Sequence, residues 1–91
     1  MKIICIKSYS NGYTGIFEED HKYVLFNLSK NGKLKKINEY NKEEFVDYNH
    51  FVGIISKFIP YSSFLQEPVK IESITIDELD RILLNLKWLQ A

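Results

Sequence analysis

The stretch HKYVLFNLSKNGKLKKINEY, residues 21–40, is the strongest indication of the fold in this 91-residue chain. Residues 21–28 are rich in Tyr, Val and Phe, which favour β-strands. Asn31–Gly32 follows, and this dipeptide indicates a β-hairpin, because both central residues of a type I′ turn need a positive φ angle. Residues 33–40 are compatible with a partly exposed strand. The stretch therefore predicts an antiparallel hairpin.

Two further strands are predicted outside this hairpin. MKIICIK, residues 1–7, is apolar on both faces, which predicts a central strand. VKIESITI, residues 69–76, alternates with one phase slip and predicts a bulged strand. SYSNGYTG, residues 8–15, predicts a loop from its Ser, Asn and Gly content. Residues 16–20 then predict a short strand and a turn.

The segment 41–59 predicts the first helix. Asn41 is placed to cap it, Glu44 occupies the third position of a capping box, and Pro60 ends it. Around Gly53 the β-branched residues also suit a strand, so both structures stay open there. Apolar residues recur at helical spacing and widen to about half of the helix circumference: Phe45, Tyr48, Phe51, Val52, Ile54, Ile55, Phe58 and Ile59.

A second helix is predicted after residue 75, where the capping signal is clearest. Thr75 is the cap and Glu78 completes a capping box, while Asp77 suits the positive helix start. Its predicted core stripe consists of Leu79, Ile82, Leu83, Leu86 and Leu89.

These elements predict an α+β fold, with a small antiparallel sheet and two helices on one of its faces, in the order β-β-β-α-β-α. Residues 1–91 are expected to form a single domain. The composition is 45% hydrophobic and 26% charged with zero net charge, which excludes a disordered or strongly basic class. The single cysteine, Cys5, lies in an apolar run and predicts a buried thiol. With no transmembrane run or leader peptide in the sequence, we expect a cytoplasmic protein.

Four lysines surround the predicted hairpin turn: Lys30, Lys33, Lys35 and Lys36. A basic hairpin can follow a phosphate backbone, so these lysines are a hypothetical nucleic-acid contact. The alternative is plain solvation, and lysines of this kind also protect an edge strand from aggregation. Lysine outnumbers arginine eleven to one, so the bidentate arginine contacts typical of base recognition are scarce.

Two tyrosines, Tyr9 and Tyr13, lie in the predicted loop among Ser, Asn and Gly. This composition resembles that of a binding loop, because tyrosine offers a large contact area at a small entropy cost. The same rings could stack on unpaired bases. Alternatively, both tyrosines fold back onto the core.

Leu84 and Trp88 lie four residues apart in the second predicted helix and project away from its core stripe. If exposed, such a pair has the composition of a binding hot spot or of a homodimer contact. If buried, both side chains supply apolar area that a small domain needs.

Glu43, Asp47 and His50 would share one face of the first predicted helix. Carboxylate beside imidazole suits a general base or a metal ligand, but the only other histidine, His21, has no predicted place near them. No phosphate-binding loop or zinc spacing occurs in the sequence. We therefore expect no enzyme, no metal and no cofactor.

The function expected from these features is a small protein-binding module that works by covering a surface of another macromolecule. Ile, Lys and Asn are abundant while Arg and Ala each occur once, which indicates AT-rich coding. A phage or mobile-element inhibitor of a host defence protein, such as an anti-CRISPR protein, fits that origin. The alternatives are a nucleic-acid-binding accessory protein using the lysine hairpin and a homodimeric structural subunit.

Overall fold

A computed structural model describes the backbone of residues 1–89 and the side chains of residues 1–72 and 74–84. Short 3-10 turns at 42–44, 61–63 and 71–73 connect the regular elements. Those elements are β1 (Lys2–Tyr9), β2 (Gly12–Glu19), β3 (Lys22–Ser29), β4 (Leu34–Asn41), α1 (Tyr48–Ile55), β5 (Phe64–Lys70) and α2 (Ile76–Leu89).

The five strands form one antiparallel sheet in the order β4-β3-β2-β1-β5. The predicted α+β class is confirmed, but four strands precede the first helix rather than three. β1 lies in the interior of the sheet, as its two apolar faces predict. β4 and β5 form the two edges.

The loop predicted over residues 8–15 is wrong. β1 and β2 pair from Tyr9 and Gly12 onwards, so only Ser10 and Asn11 form the turn. Gly15 lies inside β2, where a Cβ atom would overlap the Cys5 carbonyl and stand 3.1 Å from the Phe26 ring. Gly15 therefore allows close packing between strands. The prediction of a loop rested on composition alone and interpreted this glycine as a loop residue.

The β3–β4 hairpin is confirmed, with a different turn from the one predicted. Gly32 has a positive φ of 88°, but Asn31 does not. The amide of Gly32 donates to the Ser29 carbonyl at 2.9 Å, and the amide of Ser29 donates to the Lys33 carbonyl at 2.9 Å. This is a three-residue loop closed by a glycine bulge rather than a two-residue type I′ turn.

The first helix is shorter than the predicted segment 41–59. α1 begins after Asp47, whose carboxylate accepts a hydrogen bond from the His50 amide at 2.8 Å. Asn41 makes no capping hydrogen bond. Phe45 has an extended backbone and its ring lies 5.6 Å from that of Tyr23 in β3. This contact with the sheet separates the polar start of the segment from the helix.

The last strand, β5, spans Phe64–Lys70 rather than the predicted residues 69–76, and a 3-10 turn at 71–73 and the start of α2 follow it. Pro68 lies within β5, which an edge strand tolerates since one side has no ladder to complete. The predicted capping box of α2 is confirmed. Thr75 Oγ1 accepts from the Glu78 amide at 3.2 Å, and the Glu78 carboxylate accepts from the Thr75 amide at 3.4 Å.

The two helices cover opposite faces of the sheet, so the prediction that both lie on one face is wrong. A β-bulge at Ile4 helps to fill both layers, because it turns Ile4 and Cys5 to the same side. The α2 side buries Ile3, Ile6, Tyr13, Phe17, Val24, Phe26, Leu28, Leu65, Leu79 and Leu83. The α1 side buries Ile4, Cys5, Ile16, Phe51, Ile55, Ile59 and Phe64.

Candidate functional site

The two candidate tyrosines lie on opposite faces of the sheet. Tyr13 is buried in the α2-side core, so the alternative in which it folds back onto the core is correct for this residue. Tyr9 ends β1 and is 41% exposed. Tyr9 lies four residues after Cys5 in β1, so the two side chains share the α1-side face of the sheet.

Tyr13, Lys30 and Asp80 form a polar cluster that joins β2, the hairpin loop and α2. The Tyr13 hydroxyl donates a hydrogen bond to the Asp80 carboxylate. Lys30 Nζ lies 3.5 Å from that carboxylate and 4.8 Å from the centroid of the Tyr13 ring. Burial, followed by the hydrogen bond to Asp80, raises the pKa of Tyr13, while the same hydrogen bond lowers the pKa of Asp80. The cluster is a tether between sheet and helix.

Two of the four hairpin lysines form ion pairs in the structure, and two are exposed. Lys30 is held by Asp80, and Lys36 pairs with Glu19 at 3.0 Å while lying 5.8 Å from the centroid of the Phe17 ring. Lys33 and Lys35 are exposed and have no ion-pair partner among the described side chains. The hairpin therefore does not present four free cations, which weakens the hypothesis that its tip is a basic finger.

Leu84 and Trp88 are tested only in part. Leu84 is 55% exposed on α2, in agreement with its predicted projection away from the core stripe. The side chain of Trp88 lies outside the described residues, as do those of Leu86 and Leu89. Leu79 and Leu83 of the predicted stripe are buried, and Ile82 is partly buried against the same cluster.

The predicted carboxylate–imidazole face does not form. Glu43 lies in the 3-10 turn before α1, whereas the Asp47 carboxylate caps the helix. His50 Nδ1 accepts a hydrogen bond from the Val46 amide at 3.0 Å. Both groups are engaged in shaping the helix start. Within the described residues, no three His, Cys, Asp or Glu side chains are grouped to hold a metal ion.

An exposed aromatic surface, which the sequence pattern did not predict, lies along α1 and the turn after it. Tyr48 is 55% exposed, Phe58 75% and Tyr61 68%. We call these three side chains the aromatic surface. Aromatic side chains of this size are enriched at protein interfaces and dominate their energetics.

Buried rings hold the two tyrosines of this surface in place. The ring centroids of Tyr48 and Phe51 are 6.2 Å apart, those of Phe51 and Phe64 are 6.4 Å apart, and those of Phe64 and Tyr61 are 5.5 Å apart. Burial raises the pKa of Tyr48, and Tyr61 contributes next in the same direction, so the two tyrosines are electrostatic neighbours. The two exposed tyrosines thus pack against a continuous set of buried aromatic rings.

A cleft of about 320 Å³ opens beside Tyr48. Its one carboxylate, Glu18, is paired with Lys42, whose Nζ lies 5.4 Å from the centroid of the Tyr23 ring. The cleft can therefore accept an apolar or hydrogen-bonding group without exposing an unpaired charge. Its lining residues are Ile4, Glu18, Tyr23, Tyr48, Leu65, Gln66 and Pro68.

The sequence around this surface contains few charges. Between Asp47 and Glu67, Lys57 is the only lysine or arginine, and no carboxylate occurs. Depletion of charge around aromatic side chains distinguishes the centre of a protein interface from ordinary surface. The sequence already contained this signal, but the prediction of a long amphipathic helix hid it by assigning the aromatics to a buried face.

No protein-family model, curated protein or solved structure matches the chain. None of the helices in the described part of the chain is long and apolar enough to cross a lipid bilayer.

Proposed function

We propose that this protein is a non-catalytic protein-binding module whose contact surface is the aromatic surface of Tyr48, Phe58 and Tyr61. The observation that carries the proposal is the support of two exposed tyrosines by the buried rings of Phe51 and Phe64. A ring that is already fixed loses little conformational entropy when a partner covers it.

The chemistry of this surface also describes its partner. The tyrosine rings offer apolar area, and their hydroxyls offer hydrogen bonds at the edge of that area. Lys57 is the only lysine or arginine of the segment, and no carboxylate accompanies it. The complementary surface is therefore apolar at its centre, with neutral or acidic groups around it.

Two observations support binding rather than catalysis. Asp47 and His50 are used in capping α1. Cys5 is buried, and desolvation raises its pKa to about 12, far above that of a reactive thiolate. The narrower proposal, that the partner is a host defence protein blocked sterically by a phage or mobile-element product, is supported by the amino-acid usage of the chain, in which Ile, Lys and Asn are abundant and Arg and Ala each occur once.

Site-specific photo-crosslinking tests the proposal in cells of the source organism. Benzoylphenylalanine is placed at Tyr61 in one version of the protein and at Ile37, an exposed apolar residue of edge strand β4, in a matched control. We expect one dominant protein adduct from position 61 that survives nuclease treatment, and none from position 37. The second expected result is loss of that adduct on Tyr48→Ser, with an unchanged melting temperature.

Two results would overturn the proposal: no adduct from position 61, or the same adducts from both positions. A third version carries the photoreactive group at Leu84. An adduct of twice the monomer mass that forms only from position 84 would favour the homodimeric subunit instead.

A further inference from the structure

A polar row crosses the sheet on the α1 side, beyond the buried cluster. In the register of the first four strands, Lys7 pairs with Thr14, Thr14 with Asn27, and Asn27 with Lys35. We call these four residues the polar row. Its members in β1, β2 and β3 each lie two positions from a residue packed in the α1-side cluster, namely Cys5, Ile16 and Leu25, so they share that face.

All four side chains of the polar row are at least partly accessible to solvent. Lys7 and Lys35 are exposed, while Thr14 and Asn27 are partly exposed. Neither lysine has an ion-pair partner among the described side chains. Lys33, also exposed and unpaired by the same measure, lies two residues before Lys35 at the end of the hairpin loop. The row therefore carries unneutralised positive charge.

The opposite face of the same strands is arranged differently. There Lys36 is paired with Glu19 at 3.0 Å, and Lys22 with Glu39 at 3.1 Å. No carboxylate occurs in the polar row or in the next paired positions toward the hairpin end, where Tyr9, Gly12 and Ser29 lie. The lysines on the two faces thus differ in their partners, although Lys35 and Lys36 are neighbours in β4.

The groups of this face fit a single nucleic-acid strand. Tyr9 faces the same side as the row and is 41% exposed, which makes its ring available for stacking on a base. The row crosses three strand intervals of about 4.8 Å, or about 14 Å in all, so its two lysines are placed to contact different phosphates of one short strand. Between the two lysines, the Asn27 amide can donate to base edges and accept from them. The Thr14 hydroxyl donates a hydrogen bond to the Phe26 carbonyl and can still accept one from the nucleic acid.

We propose that this face binds single-stranded nucleic acid, with Lys7, Lys33 and Lys35 contacting phosphates and Tyr9 stacking on a base. The binding surface is distinct from the aromatic surface and does not depend on it. It also differs from the hairpin-tip hypothesis, because Lys30 and Lys36 are excluded and Lys7 is included.

Fluorescence anisotropy with a labelled 12-nucleotide oligothymidylate tests the proposal, starting at 50 mM salt. The test variant is Lys7→Gln/Lys35→Gln. The matched control is Lys22→Gln/Lys36→Gln, which removes the same charge from the opposite face of the sheet. With three phosphate contacts, the slope of log affinity against log salt is expected to be about −2, falling to about −0.7 in the test variant.

We expect the test variant to bind at least about tenfold more weakly than the parent protein, and the control to stay within about twofold. Tyr9→Ser should weaken binding at least about fivefold without changing the salt slope, because stacking rather than charge is lost. Chemical shifts of the Asn27 side-chain amide, followed in the parent protein during the titration, provide a readout that needs no variant.

Four results would overturn the proposal. The parent protein could fail to bind at 50 mM salt, or the test and control variants could lose affinity equally. The Asn27 amide could remain unshifted at saturation. A 12-base-pair duplex could bind as tightly as the single strand, which would exclude the stacking role of Tyr9.

Discussion

The hydroxyl of Tyr13 in β2 donates a hydrogen bond to the carboxylate of Asp80 in α2, and Lys30 Nζ lies within 3.5 Å of the same carboxylate. Tyr13 is buried, so this hydrogen bond joins a side chain of the core to α2. A neutral donor and a cation thus converge on one acidic group, and they fix the position of α2 against the sheet.

Tyr13→Phe should lower the free energy of unfolding by about 1 kcal/mol, because the buried ring is kept and one hydrogen bond is lost. For a domain of this size that corresponds to a decrease in melting temperature of about 4–8 °C. Thermal unfolding followed by circular dichroism measures it. Tyr9→Phe is the control, since Tyr9 is partly exposed and makes no hydrogen bond through its hydroxyl among the described residues. Equal melting temperatures for the parent protein and Tyr13→Phe would contradict the tether.

Asp80 should make stability sensitive to acid. The hydrogen bond from Tyr13 lowers the pKa of Asp80 in the folded protein, and the charge of Lys30 acts in the same direction. A carboxylate with a lowered folded pKa contributes stability above its unfolded pKa of about 4, and that contribution is lost as the pH falls through the folded value. The stability difference between the parent protein and Asp80→Asn should therefore be largest near pH 7 and shrink toward pH 3.

Urea unfolding at pH 7, 5, 4 and 3 checks this pH dependence. In the Tyr13→Phe background, the effect of Asp80→Asn should vary less with pH, because the main cause of the lowered pKa is absent. A stability difference that stays constant from pH 7 to pH 3 would rule out the assigned cause.

Two glycines should respond to alanine in opposite directions. Gly15→Ala places a methyl group against the Cys5 carbonyl and the Phe26 ring, so we expect a loss of about 1–3 kcal/mol from overpacking. Gly53 lies within α1, and a methyl group on its Cα would meet open space, so Gly53→Ala should gain about 0.5–1 kcal/mol. Chemical denaturation of both variants measures the two changes. Stabilisation by Gly15→Ala would show that β2 leaves room for a side chain between Cys5 and Phe26.

The Cys5 thiol should be protected until the protein unfolds. Burial raises its pKa to about 12, and the side chain is fully covered. Labelling with an aromatic disulfide reagent at pH 8 should therefore be slow in the native protein and fast in urea. Rapid stoichiometric labelling without denaturant would contradict this.

The raised thiol pKa also has a consequence at high pH. A group with a raised folded pKa contributes stability below its unfolded pKa of about 9, and that contribution is lost as the pH rises toward 12. Cys5→Ala should accordingly make stability less dependent on pH between 9 and 12, as measured by urea unfolding.

The elements that could be predicted from the sequence have local causes. The β3–β4 hairpin is encoded by Gly32 and the strand residues beside it, and the start of α2 by the reciprocal hydrogen bonds of Thr75 and Glu78. Neither requires knowledge of the rest of the fold. Local backbone preference and local hydrogen bonding are sufficient at both places.

The elements that could not be predicted depend on distant contacts. Gly15 belongs to a strand because Cys5 and Phe26 approach it from two other strands. The aromatic surface escaped prediction because α1 covers only Tyr48–Ile55, so Phe58 and Tyr61 lie in the turns after the helix rather than on a helical face. Tyr9 and Tyr13 looked equivalent in the sequence, and only strand alternation separates them.

The second strand that pairs with β1 comes late in the sequence. The meander of four strands is complete at residue 41, whereas β5, which covers the free edge of β1, ends at residue 70. At about 5–20 residues per second of synthesis, the Ile-rich edge of β1 stays uncovered on the ribosome for a few seconds after the meander has emerged. An apolar strand edge of this kind can pair with other chains. Newly made protein is thus most prone to aggregate in that interval, and faster arrival of residues 64–70 would protect it.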